Sequence, residues 1–124
     1  MVARKTITTK VAEIIKEDGF LRIKFFETEN LFDLAEAKMQ FDAAFALCGG
    51  EPYKVLIDVR GVNVSPDRDA QDFLRQLDYK KADAIIVSNL AVRILSEFYR
   101  KRSTKNKVKI FSREDKAIEW LLKQ

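Results

Sequence analysis

The chain has 124 residues, 47% of them apolar and 34% charged, with a net charge of +4; this is enough hydrophobicity to order one core in a single domain spanning 1–124, and too much for a disordered tail. It holds one cysteine, Cys48, and no histidine, which excludes internal disulfides, zinc sites built from cysteine and histidine, and every histidine-based catalytic triad. The longest uncharged apolar-rich run, AIIVSNLAV, is too short to span a bilayer, and MVARKTITTKVAEIIK has no continuous apolar stretch of the secretory kind, so a cytosolic location is the default expectation.

From Val11 to Phe25 the chain reads as two strands around Asp18-Gly19, a dipeptide suited to the positive backbone angles of a tight hairpin. In the second strand Leu21, Ile23 and Phe25 alternate with Arg22 and Lys24, so one face is expected to be buried and the other solvated, as in an edge ribbon. Thr28 or Asn30 can cap a first helix whose apolar positions, Leu34, Ala37, Phe41, Ala44, Phe45 and Cys48, recur every three or four residues before Gly49-Gly50 ends it. Cys48 then reads as a small core residue.

Tyr53 to Val59 is short, β-branched and bounded by turn signals, as expected for a third strand covered on both faces. A second helix starts near Ser65-Pro66, with Pro66 in its first turn, and buries Ala70, Phe73, Leu74 and Leu77. Ala84 to Val87 is a fourth strand, followed by Ser88-Asn89 as a cap and a third helix with Leu90, Ala91, Ile94, Leu95 and Phe98 inward. Val108 to Phe111 makes the last strand, after which Ser112 and Asp115 fit a capping box for a final helix carrying Ala117, Ile118, Leu121 and Leu122. The order ββαβαβαβα predicts an α/β fold: one mixed sheet, an N-terminal antiparallel hairpin plus parallel strands, covered by about four helices.

In such a sheet, groups competent to bind gather beyond the carboxyl ends of the parallel strands. Those ends carry Asp58, Arg60, Ser65, Asp67, Ser88, Asn89 and Ser112. They read either as a polar contact site for a partner or as helix-capping chemistry, Ser65, Ser88 or Asn89, and Ser112 capping three helices while Asp67 and Asp69 face a positive dipole end. Asp58 and Arg60 are not accounted for by capping.

The run DRDAQD lacks the calcium-loop pattern, since Gln71 and Asp72 stand where a ligand and a glycine are needed. The four glycines cannot make a phosphate-cradling loop. No metal or cofactor is expected, and no general base accompanies Asp58. A basic stretch, Arg100, Lys101, Arg102, Lys105, Lys107 and Lys109, is unopposed by acids; it reads as helix C-terminal and strand-edge charge, or as a surface for an acidic partner or anionic membrane, with specific nucleic-acid binding disfavoured by the absence of interleaved aromatics. Phe20, Phe26 and Phe32, if exposed, would make a homodimer patch.

Taken together, KVLIDVRGV, ADAIIVSNLAVRILSEFY, KVKIF and SREDKAIEWL resemble the STAS superfamily over nearly the whole chain, nearer its SpoIIAA-like branch, related to the CRAL-TRIO lipid carriers, than the anti-sigma-factor antagonists. The resemblance implies a non-enzymatic regulatory or protein-interaction module whose loop after the third strand, Arg60 to Asp69, meets another protein. In the antagonists that loop ends in a phosphorylatable serine. Here Pro66-Asp67-Arg68 fall near that position, leaving Ser65 as an offset candidate and Asp67 as a permanent acid in its place. The CRAL-TRIO relation implies an alternative, a small apolar or lipid-like ligand lined by Phe73, Leu77, Ile94, Leu95 and Phe98; an amphipathic stripe also explains those residues as core.

Overall fold

The computed structural model describes residues 5–62, 65–77, 80–89, 93 and 107–124. Its centre is one sheet of six strands in sequential order: β1 (Thr6–Thr8), β2 (Ala12–Glu17), β3 (Phe20–Phe25), β4 (Tyr53–Asp58), β5 (Lys80–Ile86) and β6 (Lys107–Phe111). The first three strands are antiparallel, joined by the Asp18-Gly19 hairpin with Gly19 at φ +86°, and β3 to β6 are parallel. Three helices are described: α1 (Leu34–Leu47), α2 (Arg68–Arg75) and α3 (Glu114–Leu122). The third helix expected from the sequence, with Leu90, Ala91, Ile94, Leu95 and Phe98, lies outside the described residues apart from Arg93, whose N–H donates to the Asn89 carbonyl at 3.1 Å.

The mixed α/β architecture agrees with the sequence reading, and β1 is an addition to it. Thr6–Thr8 has a single apolar residue, Ile7, and pairs with Glu13 to Ile15. The hairpin is therefore not the sheet edge, because β1 flanks β2 and β4 flanks β3.

Strand alternation splits the core between the two faces of the sheet. Leu21, Ile23 and Phe25 of β3, Val55 of β4 and Ile85 of β5 belong to the cluster that also holds Ala37 and Ala44 of α1 and Ala70 of α2. Leu56 of β4 and Ala82, Ala84 and Ile86 of β5 point the other way and pack with Ala117 and Leu121 of α3. The Arg22 face of β3 is thus not simply solvated: Phe20 joins the α3 cluster, and the Arg22 side chain is only 16% exposed.

The starts of α1 and α2 depart from the expected caps for one shared reason. Phe32 and Pro66 form an isolated parallel bridge, and the Asp67 N–H donates to the Phe32 carbonyl at 2.9 Å. Both chains stay extended to that bridge, and both helices begin immediately after it. Asp33 caps α1 by accepting from the Glu36 N–H, and Asp67 caps α2 by accepting from the Ala70 N–H, each at 2.9 Å. Thr28 and Asn30 do not cap; Thr28 Oγ1 accepts from the Asn30 N–H, and Asn30 Nδ2 donates to the Lys10 carbonyl. Ser65 likewise is not the cap of α2. At α3 the N-cap is Arg113 rather than the expected Ser112; its guanidinium has donors only and makes no cap bond, and it donates to both Asp115 oxygens.

The buried stripe of α1 carries two polar residues among its alanines, Glu36 and Gln40. Glu36 is fully buried, and its Oε2 accepts from Thr9 Oγ1 at 2.6 Å and from Gln40 Nε2 at 2.8 Å. Phe32, one of the three aromatics considered for a homodimer patch, is 5% exposed and packs tilted against Phe25, and Phe20 is half-buried against the α3 cluster. Phe26 is also half-buried, so the three rings do not form a fully exposed patch.

Candidate functional site

Asp58 is the last residue of β4 and shares the α3 face with Leu56, opposite Lys24 on β3 and Ile86 on β5. It is 5% exposed. A carboxylate so placed needs partners, and Arg60 supplies them: its Nε donates to Oδ1 at 3.0 Å, its Nη2 to Oδ2 at 2.8 Å and its backbone N–H to Oδ1 at 3.1 Å. The chain can fold back this tightly because Gly61 follows at φ +75°, a left-handed conformation that favours glycine. Burial pushes the Asp58 carboxyl up, but the Arg60 hydrogen bonds and the charges of Arg60 and Lys24 outweigh it and hold the carboxyl below its ordinary value. The hydrogen bond to Asp58 in turn raises the Arg60 guanidinium above its own.

Two residues that the sequence did not single out complete the cluster. Glu114, the first residue of α3, accepts at Oε1 from Arg60 Nη2 at 3.1 Å and from Arg22 Nη1 at 2.9 Å. Arg22 Nη2 also lies 3.6 Å from Glu17 Oε2. No signal in the sequence could have paired Arg22 with Glu114, which are 92 positions apart; only the crossover that lays α3 over β4 to β6 brings them together.

Glu17, Asp58 and Glu114 face Arg22, Lys24 and Arg60, so the cluster is close to neutral. Arg60 Nη1 has no acceptor among the described residues, and its side chain is 39% exposed. Asp58 has both oxygens taken by Arg60. The arrangement therefore presents an oriented guanidinium and holds Asp58 as its support; a carboxylate engaged in this way is not placed to act as a general base.

Of the other sequence-derived candidates, Ser88 joins this site: its Oγ accepts from the Gly61 N–H at 3.1 Å, tying the end of β5 to the loop after β4. Asn89 is exposed beside it, and its carbonyl accepts from the Arg93 N–H at 3.1 Å. Ser65 and Asp67 are exposed at the far end of the loop, where Asp67 serves α2 as its cap. Phe73 meets Phe41 edge-on at 6.1 Å and is partly buried against the main core, and Leu77 is half-buried. Ile94, Leu95, Phe98, Arg100, Lys101, Arg102 and Lys105 lie outside the described residues. Lys107 is exposed at the start of β6. Among the described residues, no helix is long and apolar enough to cross a membrane.

A family model described as a domain of unknown function, DUF7793, matches residues 14–124. No curated protein matches the chain. Among solved structures, an uncharacterised protein of the DUF3478 family with a SpoIIAA-like fold, from Shewanella loihica PV-4, superimposes with a TM-score of 0.62 at 15% identity, covering 96% of this chain and 92% of that one. At that identity the likeness establishes the fold, which is SpoIIAA-like.

Proposed function

The chain belongs to the DUF7793 family, and from the site its fold assembles we propose that it is a non-enzymatic, STAS-like regulatory module that binds another protein through the loop after β4. The observation that carries this reading is the state of Arg60. Two side-chain hydrogen bonds to the buried Asp58 set its rotamer, with a third from its backbone N–H, and among the described residues Nη1 has no acceptor, on a side chain 39% exposed. An arginine ordered in advance loses little further side-chain freedom when a partner docks, and arginine anchors are enriched among residues that dominate protein interfaces.

The surface around it continues over Gly61, Ser65, Asp67, Arg68 and Asp69, all exposed. It lies beyond the carboxyl ends of β4 and β5, where open α/β sheets collect their contacts. The SpoIIAA-like fold of the solved neighbour supports a module of this type.

The test is affinity capture from native cell extract with the wild-type chain and with Arg60→Ala and Arg68→Glu variants. The reading expects at least one stoichiometric protein partner held by the wild type and lost with Arg60→Ala, while circular dichroism shows both proteins folded. Recovery of the same partner by both would refute the assignment of the loop.

A further inference from the structure

Among the described residues, the Arg60–Glu114 pair is the side-chain hydrogen bond that joins the loop after β4 to α3. Glu114 Oε1 receives Arg60 from the loop and Arg22 from β3, while the rest of the α3 N-terminus has little holding it: Arg113 gives no side-chain cap bond, and Ser112 and Arg113 are exposed. The anchoring of α3 by burial begins at Ala117 and continues through Leu121, with Trp120 stacked 5.8 Å from Phe111. Its first turn therefore depends on the double arginine clamp.

We infer that the Arg60–Glu114 pair couples the loop after β4 to the first turn of α3, so that whatever engages or withdraws Arg60 changes how tightly that turn is held. The coupling stands on the geometry alone; its use as regulation rests on the reading that the loop binds a partner. Asp58 fixes one side of the Arg60 guanidinium, and Glu114 shares Nη2 with it. A partner that pulls Arg60 toward itself must lengthen the bond to Glu114, leaving Arg22 alone on that oxygen. By linkage, loosening the α3 turn also frees Arg60 for the partner.

Hydrogen exchange on the isolated protein tests this without any partner. The Ala117 N–H, which donates to the Arg113 carbonyl at 3.2 Å, reports on the first turn; amides of β4 serve as the internal reference. Arg60→Ala is expected to speed exchange at Ala117 roughly three- to tenfold relative to β4, the range of a partly exposed ion pair. In a Glu114→Gln background the same substitution should add less than about twofold, because the acceptor charge is gone. If Arg60→Ala lowers global stability by orphaning Asp58, Arg60→Lys, which keeps the charge and loses the fork, carries the comparison. An unchanged Ala117 rate, or an equal acceleration in both backgrounds, would overturn the coupling, whatever the capture experiment shows about the loop.

Discussion

Arg60 grips the carboxylate of Asp58, two residues before it in the chain, with Nε at 3.0 Å and Nη2 at 2.8 Å. This local pair closes the exit of β4 and sets the orientation of a guanidinium that is partly open to solvent. The consequences for stability and for contact can be separated by experiment.

The first consequence is pH dependence. Burial raises the Asp58 carboxyl, Arg60 and Lys24 lower it by more, and the folded-state pKa falls below its ordinary 3.8. A carboxyl lowered by folding contributes its full stabilisation above the unfolded value. As pH falls through the folded value, the unfolded chain binds the proton first and the contribution is lost. Urea midpoints measured from about pH 7 down to about pH 2.5 should therefore fall more steeply below about pH 4 in the wild type than in Arg60→Ala. The gap between the two should close at the acid end.

A second prediction concerns the cap of α2. Asp67 accepts from the Ala70 N–H, so Asp67→Ala should cost about 0.5–2 kcal/mol in denaturant unfolding, with Asp67→Ser or Asp67→Asn restoring most of it. Ser65→Ala should be neutral within about 0.5 kcal/mol, since its exposed side chain is not the cap. Equal losses at the two positions would contradict the cap assignment.

Thr9 is the third. Its hydroxyl donates to the buried Glu36 and accepts from the Ala12 and Val11 N–H groups at 3.0 and 3.3 Å. Thr9→Val removes all three bonds at nearly constant volume and should cost about 1–3 kcal/mol, whereas Thr9→Ser should keep most of the stability. Equilibrium urea unfolding of the two variants makes the comparison.

Gly19 is the fourth. It sits at φ +86°, and a Cβ there would lie 2.9 Å from Leu122 Cδ2. Because Leu122 is half exposed and can move, the backbone strain should dominate, and Gly19→Ala should lose about 1–2 kcal/mol. Adding Leu122→Ala should recover little of that loss in thermal unfolding.

The strands themselves were largely legible in the sequence, from the apolar runs in β4 and at the end of β5, but the alternation in β3 was misleading, because the Arg22 face expected to be solvated is covered by α3. The Asp18-Gly19 turn was also legible. Helix starts were less so: several residues near each start are able to cap, and the choice of Asp33 and Asp67 is made by the Phe32–Pro66 bridge, a long-range contact. β1 was missed because Thr6–Thr8 is short and mostly polar. Glu36 and Gln40 break the apolar periodicity of α1; inside, Glu36 Oε2 accepts from both Gln40 and Thr9, while Glu36 Oε1 has no partner among the described residues.

At the candidate site, Asp58 and Arg60 could be noticed from their position after an apolar strand, but their mutual bonding and their link to Glu114 could not. A salt bridge across the sheet is set by the crossing of elements distant in sequence. Asp67, which looked like part of the same charged group, is instead accounted for by the helix it begins.

The most direct measurement is site-specific photo-crosslinking in native extract, with a photoreactive residue placed at the exposed Ser65 and, separately, at the exposed Lys123 at the far end of α3. Adduct formation with a defined protein from position 65, abolished by Arg60→Ala, and none from position 123 is the predicted result. Adducts from position 123 with none from position 65 would place the contact surface elsewhere and contradict the account.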